Sequence, residues 1–572
     1  MNCSICNAEI PEGQDKCPHC GAAAQPAAPP EPVKEPKNLK KGLIIGGGVL
    51  VAAAAGIGIF MASSNAKDPK TVVVDALKGV YSAENVDPGE EVFGLGQIYG
   101  EFSKTGGEMG GSLAFAGSSD PDLSMLTGAG VSIHAASDVA NKKFTETVGI
   151  QYSGMDLANL TIYADDTYLM AALPEFTSKV LTVNYADDLM GQIENSPMAA
   201  EIEELFTEEE KEAFENYITY LTDIYSGEKT PFDLKALWQR YKEGSQAMSN
   251  FKEAMTVTKA DSQNLSYDGK EQKCTGYDVV IPKEAVVDFA RTSSKFFLED
   301  ENFKKDVLEY LKVVMEMSGS QLYGFSLDGG LSTPEEMIAQ MWEDMDQGVE
   351  KAIDQLEKSL EGDVTMKVYV TKSGRLASLD GACRFVFEEE DSLDVKLTAV
   401  LEGGSYPTQN GNFKLVLEDE TDTMTVDLNK AGEYTDKVLN SSWDLNLEFD
   451  DEKIQVTYDN TYDRATGDSQ IRISGGEGEE DTVSLTITGI VDELEKGKNF
   501  HYTFDSLEIA EETWALSLKL KGEFYLRNLQ SEITAPEGEH MDVLKATEEE
   551  WEALGEEMMT NLYALILGGG FF

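Results

Sequence analysis

Four of the six cysteines fall in the first 20 residues, as Cys3-Ser-Ile-Cys6 and Cys17-Pro-His-Cys20-Gly21. Two residues between the thiols of a tight turn let both sulfurs reach one Zn²⁺ from the same side, and two such turns complete a tetrahedron. Gly21 gives the backbone freedom to fold back under the metal. The spacing predicts a structural Zn²⁺ held by Cys3, Cys6, Cys17 and Cys20, with disulfides as the alternative. His19 sits between two ligands and is not needed as a fifth. With no open coordination position, the metal would hold a fold rather than do chemistry. A unit this short has too small a core to fold without it.

The remaining candidates for chemistry are sparse. Cys274 and Cys383 lie in strand-like segments on either side of a helical block. They are candidates for a disulfide closing a loop of about a hundred residues, worth up to about 4–5 kcal/mol on the chain-entropy argument, or for two buried free thiols. His134, His501 and His540 belong to no HExxH, and there is no GxSxG or P-loop. Ser64-x-x-Lys67 and Lys104-Thr105-Gly106 match two elements of serine β-lactamases but lack the Ser-Asp-Asn element between them. Gly94-Leu-Gly96-Gln-Ile-Tyr-Gly100 has the wrong spacing for a dinucleotide loop. Asp459, Asp463 and Asp468 fit a hairpin turn better than a Ca²⁺ loop. No catalytic residue is assigned, and the chain is expected not to be an enzyme.

The segments that would position the zinc site set a topology. Residues 22–41 begin as an Ala/Pro-rich linker that favours extended backbone. Gly42 to Ala62 is an uncharged run of about 21 residues, long enough at about 1.5 Å per residue to cross a bilayer as one helix. Lys34, Lys37, Lys40 and Lys41 precede it, so the positive-inside rule puts the N-terminus in the cytoplasm. That placement also keeps the cysteines in a reducing compartment. Gly48, Ala52 and Gly56, four residues apart, would form a smooth stripe suited to a homodimer. The expected localisation is thus a single-pass membrane protein with its C-terminal region outside the cell.

The net charge is −58, from 46 basic and 104 acidic residues. Residues 1–66 hold five Lys and five acids, so the whole excess lies in 67–572. A surface that negative repels phosphate backbones and anionic headgroups, which argues against a nucleic-acid partner. Within it the pattern alternates in kind. Segments 91–104, 108–117, 130–138, 143–153, 157–164 and 167–172 read as strands, and 197–249 as a helical block with a capping box at Thr207–Glu210. Strands return at 254–281, helices at 283–361, the last opening at Thr333-Pro334. From 363 to 526 apolar residues alternate almost throughout, as in Val364, Met366, Val368 and Val370, with hairpin turns expected at Ser373-Gly374, Asp450-Asp451, Gly475-Gly476 and Lys496-Gly497. A final helix opens at Thr547–Glu550 and would dock through Trp551, Leu554 and Met558.

The order of ribbon, linker, span and large acidic exterior resembles zinc-ribbon single-pass membrane proteins of Gram-positive bacteria of the Clostridia type, and staphylococcal zinc-ribbon proteins linked to glycopeptide susceptibility. The resemblance rests on Cys3, Cys6, Cys17, Cys20 and the plan of the first 65 residues, and it implies zinc ligation and topology. The exterior is similar in layout to the half-barrels of lipoprotein carriers. The expected fold class is α+β: a zinc ribbon (1–21), a linker (22–41), a transmembrane helix (42–62), and an extracytoplasmic region of curved antiparallel sheets with helical inserts, in two β-rich parts (67–290 and 291–572). Three functions are weighed. The first is a membrane-anchored binding or sensing protein, with an envelope ligand outside and a cytoplasmic partner at the ribbon. The second is a carrier of an acyl or other apolar ligand. The third is an extracellular hydrolase.

Overall fold

The computed structural model describes residues 68–81, 88–199, 232–317, 334–387, 392–449, 452–477, 481–511 and 516–568, with isolated positions between 213 and 229. The zinc ribbon, linker, span, dimer stripe and Thr207–Glu210 box expected from the sequence lie outside them.

The chain begins with helices α1 (Pro69–Tyr81), α2 (Pro88–Phe93) and α3 (Leu95–Thr105). A meander follows: β1 (Gly106–Ser118), β2 (Ala129–Asp138), β3 (Lys143–Tyr152), β4 (Met155–Ala164), β5 (Tyr168–Ala172) and β6 (Lys179–Asn184). Helices α4 (Leu189–Glu194), α5 (Leu234–Gly244) and α6 (Ala247–Ala254) lead to the hairpin β7 (Thr256–Tyr267) and β8 (Lys270–Ile281). Helices α7 (Lys283–Glu299), α8 (Glu301–Met317) and α9 (Pro334–Ser359) come next. Eleven strands then run on: β9 (Leu360–Val370), β10 (Leu376–Val386), β11 (Ser392–Gly403), β12 (Asn410–Glu418), β13 (Thr423–Tyr434), β14 (Val438–Phe449), β15 (Glu452–Asp463), β16 (Asp468–Glu477), β17 (Asp481–Glu495), β18 (Asn499–Glu511) and β19 (Leu516–Arg527). The short β20 (Glu539–Asp542) and helix α10 (Glu548–Gly568) close the described chain.

All twenty strands belong to one sheet. Its spatial order runs from β7 through β19 in sequence, then β1 to β6, then β20. Only β19–β1 and β6–β20 join strands that are not consecutive in the chain, and β6–β20 is parallel. This corrects the expected fold class. The two curved sheets are one continuous sheet, because β1 finds its second partner in β19, about 400 residues away, and the regions before and after residue 290 share its ladder. Among the described residues no helix is long and apolar enough to cross a membrane, and no three His, Cys, Asp or Glu side chains are grouped to hold a metal. Nothing among the described residues corresponds to the membrane and zinc-ribbon components of the expected fold class, whose residues 1–62 lie outside them. Residues 91–104, expected as strand, are helical. Glu90 accepts hydrogen bonds from the backbone N–H of Gly96 (2.7 Å) and Gln97 (3.2 Å), supplying α3 with the partners its first turn lacks. Gly475-Gly476, expected as a turn, lies inside β16, paired on both sides.

The register lines up one apolar face across the whole sheet. Val279, Met366, Gly381 and Leu397 follow one another across β8 to β11. Leu428, Leu445 and Val456 do the same across β13 to β15. Leu485, Ile509 and Leu518 continue it on β17 to β19, and Met109, Ala135, Ile133, Val148 and Leu160 on β1 to β4. The opposite face carries the acidic residues and their cross-strand partners, such as Lys396–Glu418, Arg384–Asp394 and Lys453–Glu448. One apolar and one solvated face is the ordinary economy of an antiparallel sheet.

The apolar face is covered at both ends. At β7–β11 the sheet rolls so far that Asp268 on the β7–β8 turn donates its backbone N–H to Glu402 O on β11 (2.7 Å). Inside the roll, Val73, Val74 and Leu77 of α1, Val286 of α7 and Ile353 and Leu356 of α9 pack on Phe385, Leu393, Val395 and Leu401 in the largest core among the described residues. Beside it, Arg240 of α5 grips Asp300 with two bonds of 2.7 Å, and that guanidinium holds the Asp300 carboxyl below the usual range. At the other end α10 lays Trp551, Leu554 and Met558 on Leu181 and Met541, its first turn fixed by the reciprocal Thr547–Glu550 box.

Cys274 and Cys383, weighed as a disulfide, are separate buried thiols on β8 and β10. Thr275, beside Cys274, pairs with Val370 of the intervening β9, and Ala382, beside Cys383, pairs with Thr365. Those levels are about 16 Å apart along the strand at ~3.3 Å per residue, whereas a disulfide needs Cα atoms within about 7 Å. Burial pushes the Cys383 thiol up to about 12 and raises that of Cys274 as well. Since the thiolate is the reactive form, neither is expected to be alkylated by iodoacetamide in the native protein, and both after unfolding in guanidinium. Site-resolved mass spectrometry reads this directly; native labelling of Cys383 at the unfolded rate would refute it.

Candidate functional site

Between its two covered ends the apolar face is open. Ile473, Val483, Ile509, Phe524, Ile133 and Ile150, from six strands, are between 37% and 55% exposed. Eleven strands, β14 to β19 and β1 to β5, share this stretch, which at ~4.8 Å per strand runs about 48 Å along the sheet. A contiguous apolar area of this size is larger than monomeric proteins ordinarily expose.

At one end of the open stretch the face deepens into a cavity of 530 Å³. Its floor is three cross-strand rows: Lys430–Trp443–Tyr458–Ile473, Gly432–Ser441–Asn460–Ile471, and Tyr434–Leu439–Tyr462–Ser469. Val491 of β17 and Phe500 and Tyr502 of β18 form the far wall. One cavity reached from six neighbouring strands requires the sheet to curl toward this face.

The roof is α2. Its Phe93 ring meets Tyr462 (centroids 4.9 Å) and Phe500 (5.6 Å), whose strands are three apart, and Val92 packs with them. The helix is held there by a tight corner. Gly94 has φ +64°, and a Cβ on it would lie 2.6 Å from the backbone N of Gly497 in the β17–β18 turn. Only glycine permits that approach.

The cavity is mainly aromatic with a polar patch. The Lys430 ammonium lies 5.0 Å from the Tyr406 ring centroid and 5.4 Å from that of Trp443, within cation–π reach. Tyr406 and Tyr434 hydroxyls are 3.3 Å apart, and Ser469 donates to Tyr502 at 3.3 Å. Burial raises the phenols of Tyr462 and Tyr502 above their ordinary value, so they stay neutral. Lys430 is the one charged residue on this face from β12 to β19 away from the strand ends, among the described residues.

None of these residues was singled out by sequence reasoning. Ser441, Asn460 and Ser469 interrupt the apolar alternation where the site lies, which weakens the very signal that marks the face. The usable sign is a polar residue between large apolar or aromatic ones on both neighbouring strands, Leu439-x-Ser441-x-Trp443 and Tyr458-x-Asn460-x-Tyr462.

The polar face offers a second cavity, of 690 Å³, near Ser112, Thr503, Lys521 and Glu523. The nearby His501 is held between carboxylates, with Nδ1 2.5 Å from Asp492 and Nε2 3.5 Å from Glu523. Thr503 donates to Asp492 rather than to the imidazole. His134 meets the Tyr525 hydroxyl at 2.6 Å. Neither ring is bonded to an aliphatic hydroxyl or a thiol, so the arrangement lacks the nucleophile–base contact that acyl transfer needs. His540 lies on β20, and the Asp463 carboxylate accepts the N–H groups of Ala465 and Thr466, which makes it a turn. Lys104 pairs with Glu101 on α3. Comparison with family models, with curated proteins and with solved structures finds no match to this chain.

Proposed function

We propose that the protein is a non-enzymatic binding protein for an elongated apolar molecule, such as an acyl chain, seated in the aromatic cavity and laid along the open apolar face. The observation that carries this is the apolar register that runs from a roofed cavity onto exposed strands. The cavity volume falls within the range of small-molecule sites, roughly 300–1,000 Å³. Burying an acyl chain there contributes about 0.8 kcal/mol per methylene, which a dozen carbons turn into useful affinity after association costs. The acidic opposite face keeps such a protein soluble while its apolar face stays available.

The test is retention of radiolabelled dodecanol by the immobilised full chain. Binding is expected to saturate and to weaken about tenfold in Trp443→Ala, the equivalent of ~1.4 kcal/mol for one cavity ring. No saturable retention, or retention indifferent to Trp443, sinks the proposal.

A further inference from the structure

We infer that the molecule bound in the cavity is an amphiphile with an anionic head group, held at Lys430. This rests on the apolar-ligand reading above and names the ligand class.

The first observation is placement. In a chain with 104 acidic and 46 basic residues, this face is nearly free of charge, and the charge it does carry inside the cavity is positive. The second is how the ammonium is held. The Tyr406 and Trp443 rings, at 5.0 and 5.4 Å, steady it at the cavity wall and sit beside the apolar floor. An aromatic pair lowers the cost of keeping a cation beside apolar surface.

The third observation is the company it keeps. Ser441 of β14 is the diagonal neighbour of Lys430, and Asn460 of β15 is the direct cross-strand partner of Ser441, two strands from Lys430. Both line the cavity. Diagonal neighbours lie about 7–8 Å apart, so a head group of two or three oxygens placed between Lys430 and Ser441 spans that gap, with Asn460 directly across from Ser441 about 5 Å further on. An ammonium, a hydroxyl and an amide N–H₂ are together the donors that a carboxylate or a phosphate monoester accepts from. From there Tyr458, Ile473 and Ile471 lead away onto the uncharged floor, where a tail follows the open face. The surrounding acidic surface disfavours free anions at large, so selection for an anion at this one point depends on the tail and the head engaging together.

The experiment compares four twelve-carbon probes on the immobilised full chain, each below its micellar concentration: dodecanoate, dodecyl phosphate, dodecanol and dodecyltrimethylammonium. Expected is at least tenfold tighter binding of one or both anions than of dodecanol, and the weakest binding for the quaternary ammonium. Which anion leads distinguishes a carboxylate from a phosphate head. Lys430→Met should abolish the preference, read as the ratio of anion to dodecanol affinity, and Lys430→Arg should retain it. Equal binding of anion and alcohol by the unaltered protein overturns the head-group assignment and leaves the apolar-ligand reading standing. Loss of dodecanol binding in Lys430→Met also overturns it, by making Lys430 a structural residue. Failure of all four probes to bind removes both.

Discussion

Gly522→Ala should split the sheet along the β1–β19 seam while the rolled core at β7–β11 stays intact. Gly522 of β19 pairs with Leu113 of β1 on one side and Phe504 of β18 on the other. A Cβ on it would lie 1.9 Å from the Ser112 carbonyl oxygen and 2.7 Å from the Phe504 ring. The ring can turn aside, but the oxygen belongs to the backbone of the neighbouring strand, so the two strands must separate by more than an ångström. That breaks ladder hydrogen bonds as well as packing, and a loss of about 3 kcal/mol is expected, at the upper end of ordinary overpacking.

The loss should be local. The seam has its own fastener: the buried Glu108 carboxylate of β1 accepts from Arg527 Nε and from the backbone N–H of Gln530, both at 2.9 Å. Beyond it, Ile533 packs on Ala136, Tyr163 and Met170 on the polar-face side of β2–β5. None of these touches the core under α1, α7 and α9. Native-state hydrogen exchange is the measurement: amides of β1 and β19 should exchange much faster, those of β8–β10 unchanged. Uniform acceleration across all strands would show that the sheet unfolds as one unit and refute the seam.

The seam is also where legibility in the sequence ends. Alternation such as Val364, Met366, Val368 and Val370 was enough to place β9 and to say which side it buries, and all four are buried. Ser373-Gly374 and Lys496-Gly497 fall at turns, with Gly374 at φ +86° and Gly497 at φ +75°. Thr547 and Glu550 make their capping box. These are local signals, decided within a few residues. Which strand edge meets which is not local. Gly106, Gly107, Gly110 and Gly111 make β1 look like a weak strand, yet their missing side chains are what let β2 and β19 approach. Gly107 lies under the Phe102 ring and Gly110 under Tyr525. The α2–α3 corner, expected as strand over 91–104, is helical: Gly94, Gly96 and Gly100 weaken any helical period, and its helix depends on Glu90, a cap no period reports.

Ile473→Glu should remove apolar-ligand binding with little effect on the fold. Ile473 of β16 lines the cavity beside Tyr458 and is 38% exposed before any ligand arrives. A carboxylate there stays hydrated in the free protein, so stability should change by no more than about 1 kcal/mol. Seating an acyl chain against it is another matter, because the charge must then lose water with no partner to replace it, at a cost of several kcal/mol. Affinity for dodecanol should fall at least 100-fold, about 2.7 kcal/mol. For an anionic probe the fall should be larger still, since the new charge also opposes the head. Gln470→Glu supplies the control: it adds the same carboxylate to the same strand, three residues away, on the exposed polar face. If the ligand lies on the apolar face, Gln470→Glu leaves dodecanol affinity within about twofold. If both substitutions weaken binding alike, only the net charge of the protein matters, and the cavity is not where the ligand sits.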